Sequence, residues 1–275
     1  MRAWPALEIH HGDAATGEIV QAFLLDFGLV ALTSESPGTS YLYFHSDEQR
    51  SGAAAAMRDC FPALAVHPLD VPDLDWAARS QAQLRAVRVG GLVIAPPWDV
   101  SATDAMVITI RPSMGFGTGH HATTRLCLAA LQRHDLHGRT VVDVGTGSGV
   151  LAIAASRLGA NAVLAIDDDP DAVASAADNL HLNPEARVDL RLSDVETIAG
   201  GSFDLVIANL TGALLIRAAE KLAALGASSG RFVFSGIMAE EEDAVCRAYP
   251  ALSATGRATE DEWVCLELAQ NRLKG

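Results

Sequence analysis

The sequence predicts an α/β fold in which a small α+β unit precedes a larger unit with a mostly parallel sheet of seven strands. Residues 1–72 follow the order β-α-β-β-α-β, and from residue 106 onward strands alternate with helices of ten or more residues. Residues 73–105 contain Pro96 and Pro97 and are predicted to be a linker. We therefore expect domains at residues 1–72 and 106–275.

The elements of the first unit are predicted from apolar periodicity and turn residues. Gly28 ends the first helical pattern, and the turn-forming residues Ser36-Pro37-Gly38 separate two strand-like runs. The predicted strands are 6–10, 29–33, 40–45 and 64–69, and the predicted helices are 15–27 and 48–60. This is the split βαβ order of a ferredoxin-like domain, in which two helices cover one face of an antiparallel sheet.

The linker and the second unit are predicted in the same way. A mixed helical pattern covers residues 75–85, and one short apolar strand covers 92–95. In the second unit, apolar runs that alternate with longer helical patterns indicate a parallel sheet with helices on both faces. The predicted strands are 107–111, 140–144, 162–167, 188–192, 203–210, 231–237 and 262–268.

Charge and composition exclude several classes of function. The 34 acidic and 20 basic residues give a net charge of −14, so direct binding to nucleic acid is not expected. The segment 1–72 has nine acidic and three basic residues, a net charge of −6, and favours a basic partner. Charges interrupt every apolar stretch and the first residues lack a signal-peptide pattern, so we expect a cytoplasmic protein without membrane contact. The four scattered cysteines predict reduced core residues.

The segment from residue 140 to 154 reads as a buried strand, a glycine turn and a helix start. Gly145, Gly147 and Gly149 follow a GxGxG spacing, which differs from the GxGxxG of a dinucleotide site and favours a nucleoside ligand without phosphates. Asp167 ends the next strand, where a carboxylate can accept hydrogen bonds from ribose hydroxyls. The alternative interpretation is a tight β-α turn in which Asp167 is only an acid that leads into the helix. Against it, Asp169, which precedes Pro170, is the better candidate for the N-cap of that helix.

These residues resemble the motifs of class I S-adenosylmethionine-dependent methyltransferases. Residues 114–124, MGFGTGHHATT, are similar to the FGTGxHxTT signature of one subfamily, the PrmA-type methyltransferases. The resemblance covers most of residues 85–269. It implies a Rossmann-like domain, S-adenosyl-L-methionine as cofactor with S-adenosyl-L-homocysteine as product, and methylation of amino groups of a ribosomal stalk-base protein, large-subunit protein eleven.

The resemblance also assigns individual residues. Thr124, Gly145, Asp167 and Asn209 correspond to cofactor-binding positions, with Gly147 in the same turn, and Phe116 and His121 match a lid-like segment beside the cofactor. Asn209 is further expected to orient the acceptor amine, and His121 is a candidate proton acceptor or a packing residue. Asn209 is followed by Leu210-Thr211, a weaker match to the family, and the absence of a following proline disfavours glutamine amides or adenine as acceptors.

Two more features allow alternative interpretations. Asp194 follows the third strand of the glycine-turn unit and either accepts a hydrogen bond from the adenine amino group or is a solvated loop acid. The adjacent pairs His10-His11 and His120-His121 do not predict a metal site, because neighbouring side chains on a strand point to opposite faces.

The leading hypothesis is a protein amino-group methyltransferase, acting on lysine side chains and possibly on an N-terminal amine, with residues 1–72 recognising the substrate. One alternative keeps the cofactor but places the methyl group on a small molecule or another protein. The other is a module that binds the cofactor without catalysis.

Overall fold

A computed structural model describes residues 3–11, 20, 23–24, 27–36, 38–72, 84–100, 104–112, 119–198 and 201–271. The chain divides into two compact units, residues 1–83 and 84–275. The second unit therefore begins at Leu84, 22 residues before the predicted start at 106.

The first unit contains one antiparallel sheet. Its elements are β1 Ala3–His10, β2 Leu29–Ser36, β3 Thr39–Phe44, α1 Asp47–Cys60 and β4 Ala65–Pro72. The strand order β2-β3-β1-β4 is that of the predicted ferredoxin-like domain. Ser46 caps α1, which packs its buried Ala53 and Met57 against the sheet. The predicted helix at 15–27 lies mostly outside the described residues, although Val20, Phe23 and Leu24 are helical.

The second unit opens with a small sheet. It consists of β5 Val87–Val89, β6 Leu92–Ala95 and β7 Met106–Thr109. Two predictions are corrected here: residues 84–100 are part of the folded unit, and the strand predicted at 107–111 pairs in parallel with β6 and lies outside the large sheet. Buried apolar side chains of this small sheet belong to the same core as the helices and strands of the large sheet. The apolar periodicity therefore indicated buried strands correctly, but it could not show with which strands they pair.

The large sheet has seven strands, as predicted. Its elements are α2 Ala122–Leu131, β8 Thr140–Val144, α3 Val150–Arg157, β9 Ala162–Asp167, α4 Pro170–Leu182, β10 Asp189–Leu192, β11 Phe203–Asn209, α5 Gly212–Arg217, α6 Ala219–Leu225, β12 Gly226–Met238, α7 Glu242–Ala248, β13 Leu252–Glu260 and β14 Trp263–Gln270. The order is β10-β9-β8-β11-β12-β14-β13, in which β14 alone runs antiparallel to both of its neighbours. The fold is the predicted Rossmann-like one.

The sequence prediction missed strand β13. This strand lies at the edge of the sheet, carries Gly256 near its middle and exposes most of its side chains. Such a polar strand shows no apolar run in the sequence, which explains why it was missed. It is the seventh strand of the large sheet, in the place that the prediction assigned to residues 107–111.

Apolar side chains fill both faces of the large sheet. Val141 contributes to the core beneath α2 and α3, while the next residue, Val142, contributes to the core beneath α5 and α6. The carboxyl ends of β8, β9 and β11 consequently form one rigid edge on which side chains from distant parts of the sequence can meet. Of the helices that the structure describes, none is both long and apolar enough to cross a membrane.

Candidate functional site

The glycine turn between β8 and α3 has the backbone that only glycine adopts readily. Gly145 and Gly149 have φ angles of 71° and 81°. A Cβ atom on Gly145 would lie 2.4 Å from Cδ2 of Leu210, and one on Gly149 would lie 3.2 Å from Cβ of Ala176. The turn is therefore shaped by close contacts on two sides, and the predicted strand, turn and helix context is present.

Asp167 lies at the carboxyl end of β9, beside the turn. One carboxylate oxygen accepts a hydrogen bond from the Gly147 N–H at 2.8 Å, and the other accepts one from the Asp169 N–H at 3.1 Å. Asp169 in turn caps α4, with Pro170 in the first helical turn, as predicted. Each oxygen retains a second acceptor position, so the carboxylate is oriented for a ligand by the backbone alone.

A cavity of about 420 Å³ adjoins this carboxylate. Its apolar wall includes Ile166, Val195 and Leu214, and its polar wall includes Asp167 and Asp194. Asp194 is exposed and accepts a hydrogen bond from the Glu196 N–H at 2.9 Å, which caps the 3₁₀ turn Val195–Thr197. Asp168, Glu196 and Arg217 also line the cavity, which therefore combines an apolar slot with four acidic side chains and one basic side chain. An apolar slot with a few polar groups is typical of a site for a small ligand.

A second, smaller cavity of about 30 Å³ is lined by the turn residues Gly145, Thr146 and Gly147. Gly145 lines both cavities, and Thr124 and Asn209 line the smaller one. The hydroxyl oxygen of Thr124 and the side-chain oxygen of Asn209 are both buried without a hydrogen-bond partner. Because buried polar atoms are nearly always paired in folded proteins, these two oxygens, which line one cavity, are available to a bound water or to the polar groups of a ligand.

His121 is located at the start of α2 and makes contacts typical of a structural residue. Its Nδ1 accepts a hydrogen bond from the Thr123 N–H at 3.4 Å and lies 2.8 Å from the Thr123 hydroxyl. The ring packs edge-on against Trp263, with ring centroids 4.9 Å apart. These contacts fix the beginning of the helix that carries Thr124. Phe116 lies outside the described residues.

Asp143 belongs to the site floor and was not selected from the sequence. Its carboxylate is buried beneath the glycine turn, where one oxygen accepts hydrogen bonds from the Thr146 hydroxyl at 2.7 Å and the Ala152 N–H at 3.1 Å. Burial raises the pKa of Asp143 to about 6, and the nearby charge of Asp167 adds to the increase. The signal available in the sequence was an acid inside the apolar run Val-Val-Asp-Val.

The described residues contain no group of three or more histidine, cysteine or acidic side chains placed to hold a metal ion. His120, from the second histidine pair, lies with Nε2 2.8 Å from the Arg85 carbonyl oxygen. Its neighbour His121 instead contacts Thr123 at the start of α2 and the ring of Trp263, so the two histidine rings have different contacts.

Comparison with known proteins agrees with this geometry. The family profile described as "Ribosomal protein L11 methyltransferase (PrmA)" matches residues 16–271. A Geobacter sp. (strain M21) ribosomal protein L11 methyltransferase is 42% identical over 202 residues, 70% of this chain and 66% of the relative, and the Myxococcus xanthus protein of that name is 36% identical over 242 residues, 85% and 83% of the two chains. The match to the Geobacter protein thus spans just under two thirds of that relative.

A solved structure is also similar. The crystal structure of ribosomal protein L11 methylase from Lactobacillus delbrueckii subsp. bulgaricus superposes with a TM-score of 0.64 at 29% identity, covering 68% of this chain and 99% of that one. The family match extends over most of the chain and includes both the glycine turn and the Asn209 strand end. The chain therefore belongs to the PrmA family of ribosomal protein L11 methyltransferases.

Proposed function

We propose that this protein transfers methyl groups from S-adenosyl-L-methionine to amino groups of ribosomal protein L11. The observation that carries the proposal is the pair of unpartnered buried oxygens, on Thr124 and Asn209, beside the glycine that lines both cavities. A methyl donor that crosses the turn and an acceptor amine that approaches Asn209 together account for both oxygens. Family membership supplies the substrate class.

The larger cavity, of about 420 Å³, has room for the nucleoside of this cofactor, and the smaller cavity, of about 30 Å³, adds polar groups next to Gly145. Asp167 would hold the ribose hydroxyls, and Asp194 would accept a hydrogen bond from the adenine amino group. Gly145, Gly147 and Thr124 would hold the amino-acid end of the molecule, where Thr124 supplies a buried hydroxyl. When bound, the cofactor supplies an electrophilic methyl group attached to a positively charged sulfur.

The protein's contribution to transfer is to position and desolvate the acceptor. A lysine amine with a pKa near ~10.4 is neutral in only about one of ~2,500 molecules at pH 7, which costs roughly 4.6 kcal/mol. Removal from water lowers that pKa, and the side-chain oxygen of Asn209 then accepts an amine hydrogen and aims the lone pair. The His121 contacts favour a role in positioning α2 over a role as proton acceptor.

The first unit is proposed as the substrate-recognition domain. Its residues 1–72 carry a net charge of −6, which would attract a partner with a basic surface. The seven strands, the glycine turn, Asp167 and Asn209 all lie in the second unit. Recognition and cofactor binding are therefore expected to be separable.

The test is to incubate the full-length protein with methyl-labelled S-adenosyl-L-methionine, purified L11 and a small-metabolite extract. We expect label in L11, located by mass spectrometry on amino groups, and a rate that falls as salt rises, because exposed charge attraction is screened over ~8 to 10 Å. The chain has two lysines, Lys221 and Lys274, so self-methylation contributes little background.

The same assay separates the alternatives. Label in metabolites but not in protein would indicate a small-molecule acceptor, and binding of the cofactor without any transfer would indicate a non-catalytic module. A chain beginning at Leu84 should bind the cofactor but lose methylation of L11. If it methylates L11 as fast as the full-length protein, the first unit is not a recognition domain.

A further inference from the structure

One face of α4 carries two buried residues, Ala176 and Asn179, and a third buried residue, Asn183, follows at the C-cap of the helix. The two asparagines are 0% and 2% exposed, although a buried amide is costly unless its hydrogen bonds are satisfied. The proposed reaction does not use either asparagine directly. Their partners show what this face of the helix holds in place.

Asn179 joins two segments that lie far apart in sequence. Its Nδ2 donates a hydrogen bond to the carbonyl oxygen of Ser148 at 2.9 Å, and its Oδ1 accepts one from the Arg111 N–H at 2.8 Å. Ser148 lies inside the glycine turn, between Gly147 and Gly149. Arg111 follows β7, on the chain that leads toward the helix carrying Thr124.

Asn183 has a different set of partners. Its Oδ1 accepts a hydrogen bond from the Thr109 N–H at 2.9 Å, and its Nδ2 lies 2.7 Å from the Thr109 carbonyl oxygen and 2.7 Å from that of Asn179. Asn183 thus ties β7 to α4, and its side-chain hydrogen bonds go to Thr109 and Asn179 and not to the glycine turn. It matches Asn179 in chemistry and burial but not in location.

The same helix face also presses on the turn. The Cβ of Ala176 would be 3.2 Å from a Cβ placed on Gly149, so the helix packs directly against this glycine. The Gly147 N–H, on the other side of Ser148, donates to Asp167. The hydrogen bond from Asn179 to the Ser148 carbonyl therefore orients the backbone between Gly147, which donates to Asp167, and Val150, where α3 begins.

We propose that Asn179 is a positioning residue for cofactor binding, which holds the glycine turn in its binding conformation through the Ser148 carbonyl and ties it to the backbone at Arg111. This inference rests on the proposed function, because it takes the turn to be the cofactor site. Asn179 does not touch the reacting atoms. Its loss is expected to weaken cofactor affinity more than it slows transfer at saturating cofactor.

The test compares Asn179→Ala with Asn183→Ala in the full-length chain, using calorimetric titration with S-adenosyl-L-homocysteine, thermal unfolding and steady-state kinetics. Both variants lose a buried amide and should unfold at similarly reduced temperatures. Only Asn179→Ala should raise the Kd, by about tenfold or more, with kcat at saturating cofactor reduced by less than about threefold. Asn183→Ala should leave Kd within about twofold of the wild-type value.

A third variant identifies which contact matters. Asn179→Asp keeps an acceptor for the Arg111 N–H but, when ionised, places an oxygen against the Ser148 carbonyl. A buried carboxyl group in its protonated form can still donate to that carbonyl, so the Kd of this variant, measured from pH 6 to pH 9, should rise with pH relative to the wild-type value. A Kd in Asn179→Asp that equals the wild-type value up to pH 9, or equal Kd changes in Asn179→Ala and Asn183→Ala, would overturn the inference. A wild-type protein that does not bind S-adenosyl-L-homocysteine would instead contradict the proposed function.

Discussion

The two cavities beside the glycine turn differ in how their polar groups are satisfied. In the larger cavity, the carboxylates of Asp167 and Asp194 already accept hydrogen bonds from backbone N–H groups. In the smaller cavity, the oxygens of Thr124 and Asn209 are buried without partners. The polar groups of the larger cavity are therefore satisfied by the protein itself, whereas the two oxygens of the smaller cavity need a bound water or a ligand to complete their hydrogen bonds.

Asp143 shows both situations in a single side chain. One of its oxygens accepts two hydrogen bonds from the turn and from α3, while the other is buried without a partner. Burial dominates, since the pKa of this carboxyl group is raised to about 6. Removing a buried polar group that has no hydrogen-bond partner should therefore preserve or raise stability while it weakens cofactor binding or methyl transfer.

The largest expected effect on stability without cofactor is that of Asp143→Asn. The raised pKa means that the folded protein binds this proton more tightly than the unfolded chain, so wild-type stability falls as pH rises from about 4 to 6. The amide does not ionise. The variant should therefore gain about 2 kcal/mol relative to wild type between pH 4 and pH 7.

Urea unfolding of both proteins at several pH values provides the measurement. Asp171→Asn, at an exposed acid in the first turn of α4, supplies the baseline. If the Asp143→Asn variant and the wild type differ by the same free energy of unfolding at pH 4 and pH 7, Asp143 is not the destabilising carboxylate that its burial implies.

Asn209→Ala should slow methyl transfer without lowering the stability of the fold. Misplacing the acceptor amine is expected to reduce kcat about 100-fold, equivalent to about 2.7 kcal/mol, with a smaller change in cofactor affinity. The free energy of unfolding should equal or exceed that of wild type, because the variant loses a buried acceptor that has no partner. Single-turnover kinetics at saturating cofactor measure this, and full turnover would assign Asn209 a purely structural role.

Asp167→Ala tests the cavity whose polar groups are already satisfied. It removes the ribose contact and also the acceptor for the Gly147 N–H, so cofactor affinity should fall by about 1.5 to 3 kcal/mol. Titration calorimetry with S-adenosyl-L-homocysteine gives the value. Asp171→Ala is the control, since it also removes one acid near the start of α4. An unchanged affinity in Asp167→Ala would exclude this residue from the site.

Thr124→Val should give the smallest effect and the clearest contrast. Replacing an unpaired buried hydroxyl by a methyl group should stabilise the protein without cofactor by about 1 kcal/mol and weaken cofactor binding several-fold. Thr123→Val is the matched control, because the Thr123 hydroxyl is equally buried but lies 2.8 Å from His121. It should lower stability. If Thr124→Val unfolds at a lower temperature than Thr123→Val, the unpaired Thr124 hydroxyl does not destabilise the protein, and the prediction is wrong.

The sequence by itself determined the two-unit α/β organisation and the location of the glycine turn. Both follow from local properties, namely the period of apolar residues and the backbone freedom of glycine. The resemblance in residues 114–124 added the family. Thr124, Asp167 and Asn209, which the resemblance assigns to the cofactor, line two cavities that share Gly145.

The tertiary structure decided which strands pair and which polar atoms are buried. It placed β7 in the small sheet and β13 at the edge of the large one, because pairing depends on neighbours that a strand's own residues do not encode. It also buried Asp143 and joined Asn179 to Ser148 and Arg111, contacts across 31 and 68 residues. The pKa of a carboxyl group and the partners of an amide are properties of the packed surroundings, so they arise only once the chain has folded.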